Sequence, residues 1–200
     1  MGIAEILGVA ASLSLLAGWR LYLCIFATGV AMRWGSLPLP EHLAGLDVLA
    51  NPWVMAVAGI AALAELLADK IAWLDSAWDA VHTLVRPVGG ALLALAIVDP
   101  SDPATQAIAF ILGGAGAFAS HASKAGTRAV INASPEPVSN LAASLAEDTV
   151  VGSALVIALA YPAAAAFVAV LLLALAIYLG LLARRVIRRL LGRKGRGELA

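Results

Sequence analysis

The chain has 200 residues, of which 62% are hydrophobic and only 13% are charged, and its mean hydropathy is +0.93. A soluble domain normally carries about twice this share of charged residues, so the composition excludes a free-standing soluble domain and predicts a protein solvated by lipid. The 13 basic and 13 acidic residues cancel, which argues against nucleic acid as a partner, and the single cysteine cannot form an internal disulfide.

The hydrophobic pattern predicts an all-α membrane protein, a polytopic bundle of about six transmembrane helices. Each apolar stretch supplies most of the roughly 20 residues that a helix needs to cross the bilayer, although the second and third are short for this. Turn residues separate the stretches, and Tyr161-Pro162 leaves so little room that the last two helices should form a close hairpin. The predicted spans are about 6–32, 54–68, 85–98, 104–119 with a polar continuation to 131, 141–160 and 163–183.

The distribution of charge predicts the orientation of the chain. Residues 184–200 are rich in Arg and Lys, which indicates a basic cytoplasmic tail by the positive-inside rule. An even number of spans then places the N-terminus in the cytoplasm as well, in the bacterial inner membrane. Membrane lipid is therefore a predicted partner, because a basic tail is attracted to anionic head groups.

Three landmarks occur in the same order in both halves of the chain and predict an internal repeat. An odd number of helices in each copy would insert the second copy upside down, as in many secondary transporters. Chance matches in a chain so rich in Ala, Leu and Gly are the alternative. The prediction is one transmembrane domain, 1–200, with repeats 1–98 and 104–183. The matching pairs are Ala17-Gly18-Trp19-Arg20 with Ala125-Gly126-Thr127-Arg128, Leu63-Ala64-Glu65 with Leu145-Ala146-Glu147, and Arg86-Pro87 with Tyr161-Pro162.

Charged residues inside the apolar stretches are the candidates for function. Arg20 lies deep in the first stretch, where an unpaired charge costs several kcal/mol, so it needs a carboxylate, water or a ligand. Glu65 and Asp69 lie four residues apart on one helix face, and paired carboxylates at that depth can bind a cation or exchange a proton. A structural ion pair for Arg20, and an interfacial position for Asp69, remain open alternatives.

Residues 71–86 show an amphipathic pattern with Asp75, Asp79 and His82 on one face and apolar residues, among them Trp78, on the other. This pattern favours an interfacial helix anchored by tryptophan. The alternative is a divalent-metal site formed by Asp75, Asp79 and His82, because two carboxylates and an imidazole suit ions such as Mn²⁺.

The second half of the chain offers a basic face and an interrupted segment. His121, Lys124 and Arg128 follow one another at helical spacing and could hold an anion or neutralise acidic residues. Two prolines within 132–140 predict a broken or re-entrant segment there, since non-helical backbone at membrane depth survives around a cavity. An ordinary cytoplasmic loop is the alternative. The other predicted ligand-binding residues are Asn132, Ser134, Glu136, Asn140, Glu147 and Asp148.

Two stretches carry a resemblance to known families. Residues Glu65–Pro87 and Ser120–Asp148, the latter with Ser-His-Ala-Ser-Lys-Ala-Gly-Thr-Arg and Asn-Ala-Ser-Pro-Glu-Pro, resemble a family of bacterial multi-helix membrane proteins of unknown function. The resemblance implies a small multi-helix membrane protein and no particular activity. Residues Glu65–Lys70 are also similar to the Glu-x-Gly-Asp-Lys motif of cation/proton exchangers of the lysine-exporter superfamily, with one extra residue and no glycine.

The leading functional hypothesis is a small secondary transporter or ion permease in which a central charged site carries a small ion or solute, with cation or proton coupling. A structural or lipid-interacting membrane protein is one alternative, and a transporter of a small anion is another. The sequence shows neither His-Glu-x-x-His nor a nucleophile–base pair at diagnostic spacing, so an enzyme is not expected. It leaves cofactors and a homo-oligomeric state open.

Overall fold

The computed structural model describes residues 3–35, 41–133 and 137–197. Within these ranges all regular structure is helical, as the hydrophobic pattern predicts. The elements in chain order are α1 Ile3–Trp34, a 3₁₀ helix Glu41–Ala50, α2 Pro52–Ala68, α3 Ala72–Leu95, α4 Pro103–Asn132, α5 Pro137–Ala160 and α6 Pro162–Gly197.

Three helices in the described part of the chain are long and apolar enough to cross a membrane, namely Ala4–Trp34, Val138–Ala160 and Pro162–Arg189. Large apolar side chains also face outward, as Ile60 does on α2 and Val170 does on α6, where they are 70% and 64% exposed. Such an outer surface is favourable in hydrocarbon and costly in water, so the fold is that of a membrane protein.

Local sequence explains where the helices begin. Asn51 caps α2, because its side chain accepts a hydrogen bond from Trp53 N at 2.9 Å and a proline takes the first helical position. Asp102 caps α4 in the same way, accepting from the backbone N–H of Ala104 and Thr105. The hydrogen bond that Thr105 Oγ1 donates, with those from the backbone, lowers the pKa of the exposed Asp102 carboxyl below its usual value.

The third helix differs from its prediction. The amphipathic stretch and the third apolar stretch form one continuous helix, Ala72–Leu95, which passes through Pro87. Its 24 residues reach roughly 36 Å at 1.5 Å per residue, enough to cross the hydrocarbon core. Its polar face does not lie at an interface: Asp75, Asp79 and Arg86 are all buried in the bundle. The sequence pattern located the polar face correctly but gave it the wrong surroundings.

Helix α1 is broken in the middle. Arg20 has φ −143° and ψ 71°, which lies far from helical geometry and separates a first half, residues 3–19, from a second half, residues 21–34. A break removes the normal i+4 partners of the preceding carbonyl groups. Side chains from neighbouring helices replace them, since Arg86 Nη1 donates to Gly18 O and Lys124 Nζ donates to Trp19 O, each at 3.4 Å.

The first half of α1 runs in the same direction as α4. Ser14 lies against Gly113, and four residues later Gly18 lies against Ala117, so the two helices advance together. The second half runs against α2, because Phe26 packs on Gly59 and Gly29 packs near Met55.

Helix α2 itself runs parallel to α4. It joins α3 through a turn of three residues, 69–71, and α3 joins α4 through the short turn that contains Asp99. The start of α2 is held near the end of α3, since Gly45 of the preceding 3₁₀ helix lies against Ala96. The two halves of α1 therefore run in opposite directions, and α1 enters and leaves at the same end of the bundle.

The ends of the chain lie at opposite ends of the bundle. Ile6 of α1 and Asp99 line the same pocket, and Ser12 Oγ donates to Ala165 O near the start of α6 at 2.9 Å. The opposite end of α6 carries the basic residues that follow Ala183. We call these two ends the Asp99 end and the tail end. The predicted placement of both termini on one side of a membrane therefore depends on whether the two halves of α1 together cross it.

The reversal of α1 at Arg20 also affects the predicted inverted repeat. An inverted copy that begins with α4 must run opposite to the helix that begins the first copy. The first half of α1, which carries the Ala17–Arg20 landmark, instead runs parallel to α4, and α4 is continuous where α1 is broken. Within the described residues the helix pairs α2/α5 and α3/α6 do run in opposite directions, as an inverted repeat requires, but any up-and-down helix bundle has this alternation, so it does not establish the repeat.

We expect the substitution Gly18→Ala to destabilise the protein. A Cβ at position 18 would collide with the Ala117 carbonyl oxygen and Ser120 Oγ, and the backbone oxygen cannot rotate away. Overpacking of this kind costs about 1–3 kcal/mol. Thermal unfolding in detergent measures it, with Gly152→Ala as the matched control, because a Cβ there meets nothing within 4 Å. Equal melting temperatures for the two variants would contradict the close contact between α1 and α4.

Candidate functional site

Charged side chains from five helices meet inside the bundle, between the break in α1 and the tail end. Eight of them are at most 4% exposed in the described structure. Glu147 and Asp148 of α5 border them, with side chains 14% and 25% exposed. We call this group the charged core; its members are Arg20, Glu65, Asp69, Asp75, Asp79, Arg86, Lys124, Arg128, Glu147 and Asp148.

Asp69 joins three cationic groups. It follows the last residue of α2, and its Oδ2 accepts from Arg20 Nη1, from Lys124 Nζ at 3.3 Å and from Arg128 Nη2 at 3.3 Å. Its backbone oxygen accepts from Asn140 Nδ2 at 2.9 Å, which ties α5 to the same point. One fully buried carboxylate thus holds charges from α1 and α4 together, and this satisfies the need of Arg20 for a partner.

Arg86 is the second centre of the charged core. Its Nη2 donates to Glu65 Oε1 at 2.6 Å and its Nη1 donates to Asp79 Oδ1 at 2.9 Å, so one guanidinium bridges α2 and α3. The same Nη1 reaches the Gly18 carbonyl at the break in α1. Charge-assisted contacts of this kind are short and directional, so the position of Arg86 fixes how three helices meet.

His121 is held in one neutral form by its neighbours. Arg86 Nη1 lies 2.7 Å from His121 Nδ1, and because a guanidinium has only donors, Nδ1 must accept. The ring proton is then on Nε2, which donates to Asp79 O at 3.1 Å and lies 3.2 Å from Thr83 Oγ1. His121 therefore contributes a fixed dipole to the charged core rather than a third cation on α4.

Helix α5 closes the charged core from the side. Arg128 donates to Glu147 through Nε at 3.0 Å and through Nη2 at 3.1 Å, a two-point contact, and its Nη1 reaches Asn140 Oδ1 at 2.6 Å. Arg20 Nη2 lies 2.7 Å from Asp148 Oδ1. The adjacent acids of α5 therefore point inward, as their cost in lipid predicts.

The residues proposed as metal ligands are divided among other partners. Asp75 accepts from Asn132 Nδ2 at 2.8 Å, and Asp79 accepts from Arg86, while the ring of His82 contacts Trp78 and Tyr22. Among the residues that the structure describes, no three His, Cys, Asp or Glu side chains form a group that could hold a metal ion. The interpretation of Asp75, Asp79 and His82 as a joint metal site therefore gains no geometric support.

His82 belongs to an aromatic cluster next to the charged core. Its ring stacks on Trp78 at 4.4 Å between centroids, and its Nδ1 lies 2.7 Å from the Trp78 carbonyl oxygen. That carbonyl can only accept, so Nδ1 carries a proton, and Nε2 lies 3.0 Å from the Tyr22 hydroxyl. Tyr22 starts the second half of α1, so this cluster joins α3 to α1 just past the break.

Acidic groups outnumber cationic ones in the charged core. The core contains six carboxyl groups but only four guanidinium or ammonium groups. The nearby Lys70 does not add to the cationic groups of the core, because it is exposed and its Nζ lies 3.2 Å from Ser144 Oγ. Five buried carboxyl oxygens of the core accept no hydrogen bond from the described residues, whereas native proteins leave few such atoms. One of them, Asp148 Oδ1, lies 2.7 Å from Arg20 Nη2, and the other four form no ion pair within the described residues either. These four atoms are Glu65 Oε2, Asp69 Oδ1, Asp75 Oδ1 and Asp79 Oδ2.

The half of the bundle toward the Asp99 end is apolar. A cavity of about 470 Å³ lies there between α1, α4 and α6, with Leu7, Ala109 and Leu173 among its lining residues. Ser14 and Gly113 form the part of its wall that lies nearest to the break in α1. Polar and apolar halves therefore follow one another along the bundle.

Most of the predicted site residues meet in this arrangement. Arg20, Glu65, Asp69, Lys124, Arg128, Glu147 and Asp148 belong to the charged core, and His121, Asn132 and Asn140 contact it. The predicted residues Ser134 and Glu136, and most of the predicted broken segment 132–140, lie outside the described residues. Asn132 ends α4, and Asn140 is already within α5.

Sequence reasoning did not assign a site role to Arg86 or to Gly18. The available signal for Arg86 was that it shares a helix face with Asp79. A prediction of one continuous helix through Pro87 would have placed that face inside the bundle. Gly18 directly precedes Trp19-Arg20 in the middle of a long apolar stretch, and this was the available signal for a break there.

These features define a class: a helical membrane protein with an internal network of opposite charges around a broken helix. The chain belongs to the family described as a domain of unknown function, DUF4126, which matches residues 7–181. This agrees with the predicted resemblance to a family without an assigned activity, whereas the similarity to the lysine-exporter superfamily is not shown. Neither a curated protein nor a solved structure matches the chain.

Proposed function

We propose that the protein is a small secondary transporter or ion permease that binds protons or small cations at the charged core. The observation that carries this proposal is the excess of buried carboxyl groups, four of whose oxygens have neither a donor nor an ion pair within the described residues. Fully ionised, this group would hold uncompensated negative charge in a low-dielectric interior, which is strongly unfavourable. Protons or a small cation would supply the missing positive charge.

The break in α1 supports the same proposal. Discontinuous helices are a recurring way to build an ion site within a membrane protein, because unwound backbone offers carbonyl oxygens to a cation. Here the freed carbonyls of Gly18 and Trp19 point at Arg86 and Lys124, at contacts of 3.4 Å. Such long contacts are easily exchanged for a transported ion or for water.

In this proposal α2–α6 cross the bilayer, and α1 enters and returns at the Asp99 end. The basic tail end is cytoplasmic by the positive-inside rule, which places the Asp99 end outside. Glu65 and Glu147 release and take up the transported charge, while Arg86 and Arg128 pair with them in the unloaded state. The apolar cavity near the Asp99 end would separate the charged core from the outer surface.

The balance of charge favours a cation over an anion. An anion would need free cationic groups, yet Lys124 and Arg128 both contact Asp69, and Arg128 also binds Glu147 in two-point fashion. Glu65 and Asp69 lie in the core, whereas Lys70 lies outside it. Cation/proton exchange therefore remains the prediction, with the carried solute open.

A structural role is the second candidate, because all four cationic groups of the charged core already contact a carboxylate. Such a network could serve only to hold α1 to α5 together. Transport and scaffolding differ in one measurable respect. Only a transporter moves charge across a bilayer, and its flux should stop when a carboxyl group of the core is neutralised in a variant that stays folded.

We expect Glu65→Gln to abolish or strongly reduce proton flux. In proteoliposomes with a trapped pH-sensitive dye, an imposed potassium diffusion potential should acidify or alkalinise the lumen through the wild-type protein. Glutamine keeps the shape of Glu65 and one acceptor for Arg86, but it cannot bind or release a proton. Repeating the assay with Na⁺ and K⁺ gradients identifies a cation that couples to the flux.

Asp47→Asn is the matched control, because Asp47 is exposed on the 3₁₀ helix and lies outside the charged core. It should keep the wild-type flux. Both variants must remain folded, with a cooperative melting transition well above the assay temperature, before their fluxes are compared. Wild-type flux in the Glu65 variant, or no flux above empty liposomes in the wild type, would remove the transport proposal and leave the scaffold.

A further inference from the structure

The apolar cavity toward the Asp99 end is a long groove with a floor of small residues. Its volume is about 470 Å³, and along α4 its wall runs from Thr105 to Gly116. Ala10, Ala94 and Ala109 contribute to the floor from three different helices, and each is at most 8% exposed. Larger side chains at these positions would fill the space, so the small residues create the cavity.

The dimensions of the cavity match a single hydrocarbon chain. From Thr105 to Gly116 the wall extends roughly 16 Å at 1.5 Å per residue, which is close to half of the ~30 Å hydrocarbon core of a bilayer. The volume over this length gives a cross-section of roughly 28 Å², or about 6 Å across. A helix with its side chains is about 10–12 Å wide, so a helix of a second copy or of another protein does not fit inside.

The chemistry of the wall favours an apolar occupant over water. Ser14 Oγ donates to Gly90 O at 3.0 Å, and Thr105 Oγ1 donates to Asp102, so both hydroxyl protons of the wall are already used. All other lining residues are Ala, Gly, Val, Leu or Ile. A buried water needs about two to four polar partners, whereas apolar cavities stay dry and take up apolar molecules.

The cavity is continuous with the outer surface that faces lipid. Its rim consists of large apolar side chains that are between 44% and 64% exposed, namely Leu7, Ile108, Leu112 and Leu173. A hydrocarbon chain can therefore move from the bilayer into the cavity without crossing a polar barrier. Its carbon atoms would supply the packing contacts that the walls of so large a cavity otherwise lack.

We infer that this cavity binds one acyl chain of a membrane phospholipid from the leaflet at the Asp99 end. Thr105 marks the end of the cavity near the membrane surface, three residues after the exposed cap Asp102, and Ser14 marks the end near the break in α1. The bound chain completes the apolar seal between the charged core and the Asp99 end. The inference goes beyond the proposed function, because it concerns the apolar half of the bundle and holds whether or not the core carries ions.

Photochemical labelling from the lipid tests the inference in a bilayer. The full chain is reconstituted in phosphatidylcholine vesicles that contain a small share of phosphatidylcholine with a diazirine on one acyl chain, and adducts are mapped by mass spectrometry after illumination. A diazirine at the chain end should label Ser14, which is 1% exposed, and one next to the head group should label Thr105. Ser12 is equally buried but lies outside the cavity, so it should stay unlabelled.

Ala109→Phe should block the cavity from within. A phenyl ring at this floor position occupies the space of the acyl chain, so the chain-end adduct at Ser14 should fall several-fold. Ala107→Phe is the matched control on an exposed position of α4 outside the cavity, and it should keep the adduct.

The wild type alone already decides the outcome if Ala109→Phe fails to fold. No adduct at Ser14, or equal labelling of Ser12, would mean that no acyl chain enters the cavity. A reversed depth pattern would refute the assignment to the leaflet at the Asp99 end. With both variants folded, unchanged labelling of Ser14 in Ala109→Phe, or an equal loss in Ala107→Phe, would also overturn the inference.

Discussion

Asp69→Asn is expected to be among the most destabilising single substitutions in the protein. The carboxylate of Asp69 is the common acceptor for Arg20, Lys124 and Arg128, and it is fully buried. Asparagine keeps the shape but removes the negative charge that three buried cationic groups share, which leaves them only their contacts with Asp79, Glu147 and Asp148. Removing one partner of a buried ion pair typically costs about 3–5 kcal/mol, because the remaining charge loses its compensation.

Unfolding of the purified protein by SDS or heat in detergent measures the loss, with Asp47→Asn as the control for an exposed aspartate on the same chain. The control should unfold with the wild type. If both variants unfold alike, the three cationic groups do not depend on Asp69, and the network described for α1, α2 and α4 is wrong.

The sequence alone located most of the charged core, and the reason is the cost of charge in lipid. Arg20, Glu65 and Glu147 stand out because each interrupts an apolar stretch, and an ionised side chain in such a place needs partners. That rule identifies residues without knowledge of the fold. It cannot pair them, since Arg20 meets Asp69 and Asp148 through the packing of α1 against α2 and α5.

The path of α1 could not be predicted in the same way. Hydropathy counts apolar residues and gives no direction, so 3–34 fits one long span as well as two antiparallel halves. What decides between them is tertiary: Gly18 allows a close approach to α4, and Arg86 and Lys124 replace the backbone partners that the break removes. The predicted orientation of the N-terminus rests on a count of spans, so it depends on the path of this one helix.

The amphipathic stretch before Pro87 shows a second limit of pattern reasoning. A polar face on a helix means contact with something polar, and the sequence cannot distinguish head groups and water from the inside of a charged bundle. Because α3 continues through Pro87, its polar face is carried inward against α4. Asp79 and Arg86 thereby become part of the site instead of an interfacial surface.

Arg86→Met should destabilise the protein about as strongly as Asp69→Asn, by roughly 3–5 kcal/mol, because it leaves the carboxyl groups of Glu65 and Asp79 buried without their donor. Adding Glu65→Gln to it should restore part of the loss. In the single variant Glu65 is an unpaired buried acid, whereas in the double variant this acid is neutral.

A double-mutant cycle in the same unfolding assay isolates this pair. Residues in one buried network normally show coupling of about 0.5–3 kcal/mol, and the contact between Arg86 Nη2 and Glu65 Oε1 at 2.6 Å predicts a value in the upper part of that range. Strictly additive losses would mean that Glu65 is neutral in the wild type as well. In that case Glu65 would already carry one of the protons that the excess of carboxyl groups requires, and its charge would not depend on Arg86.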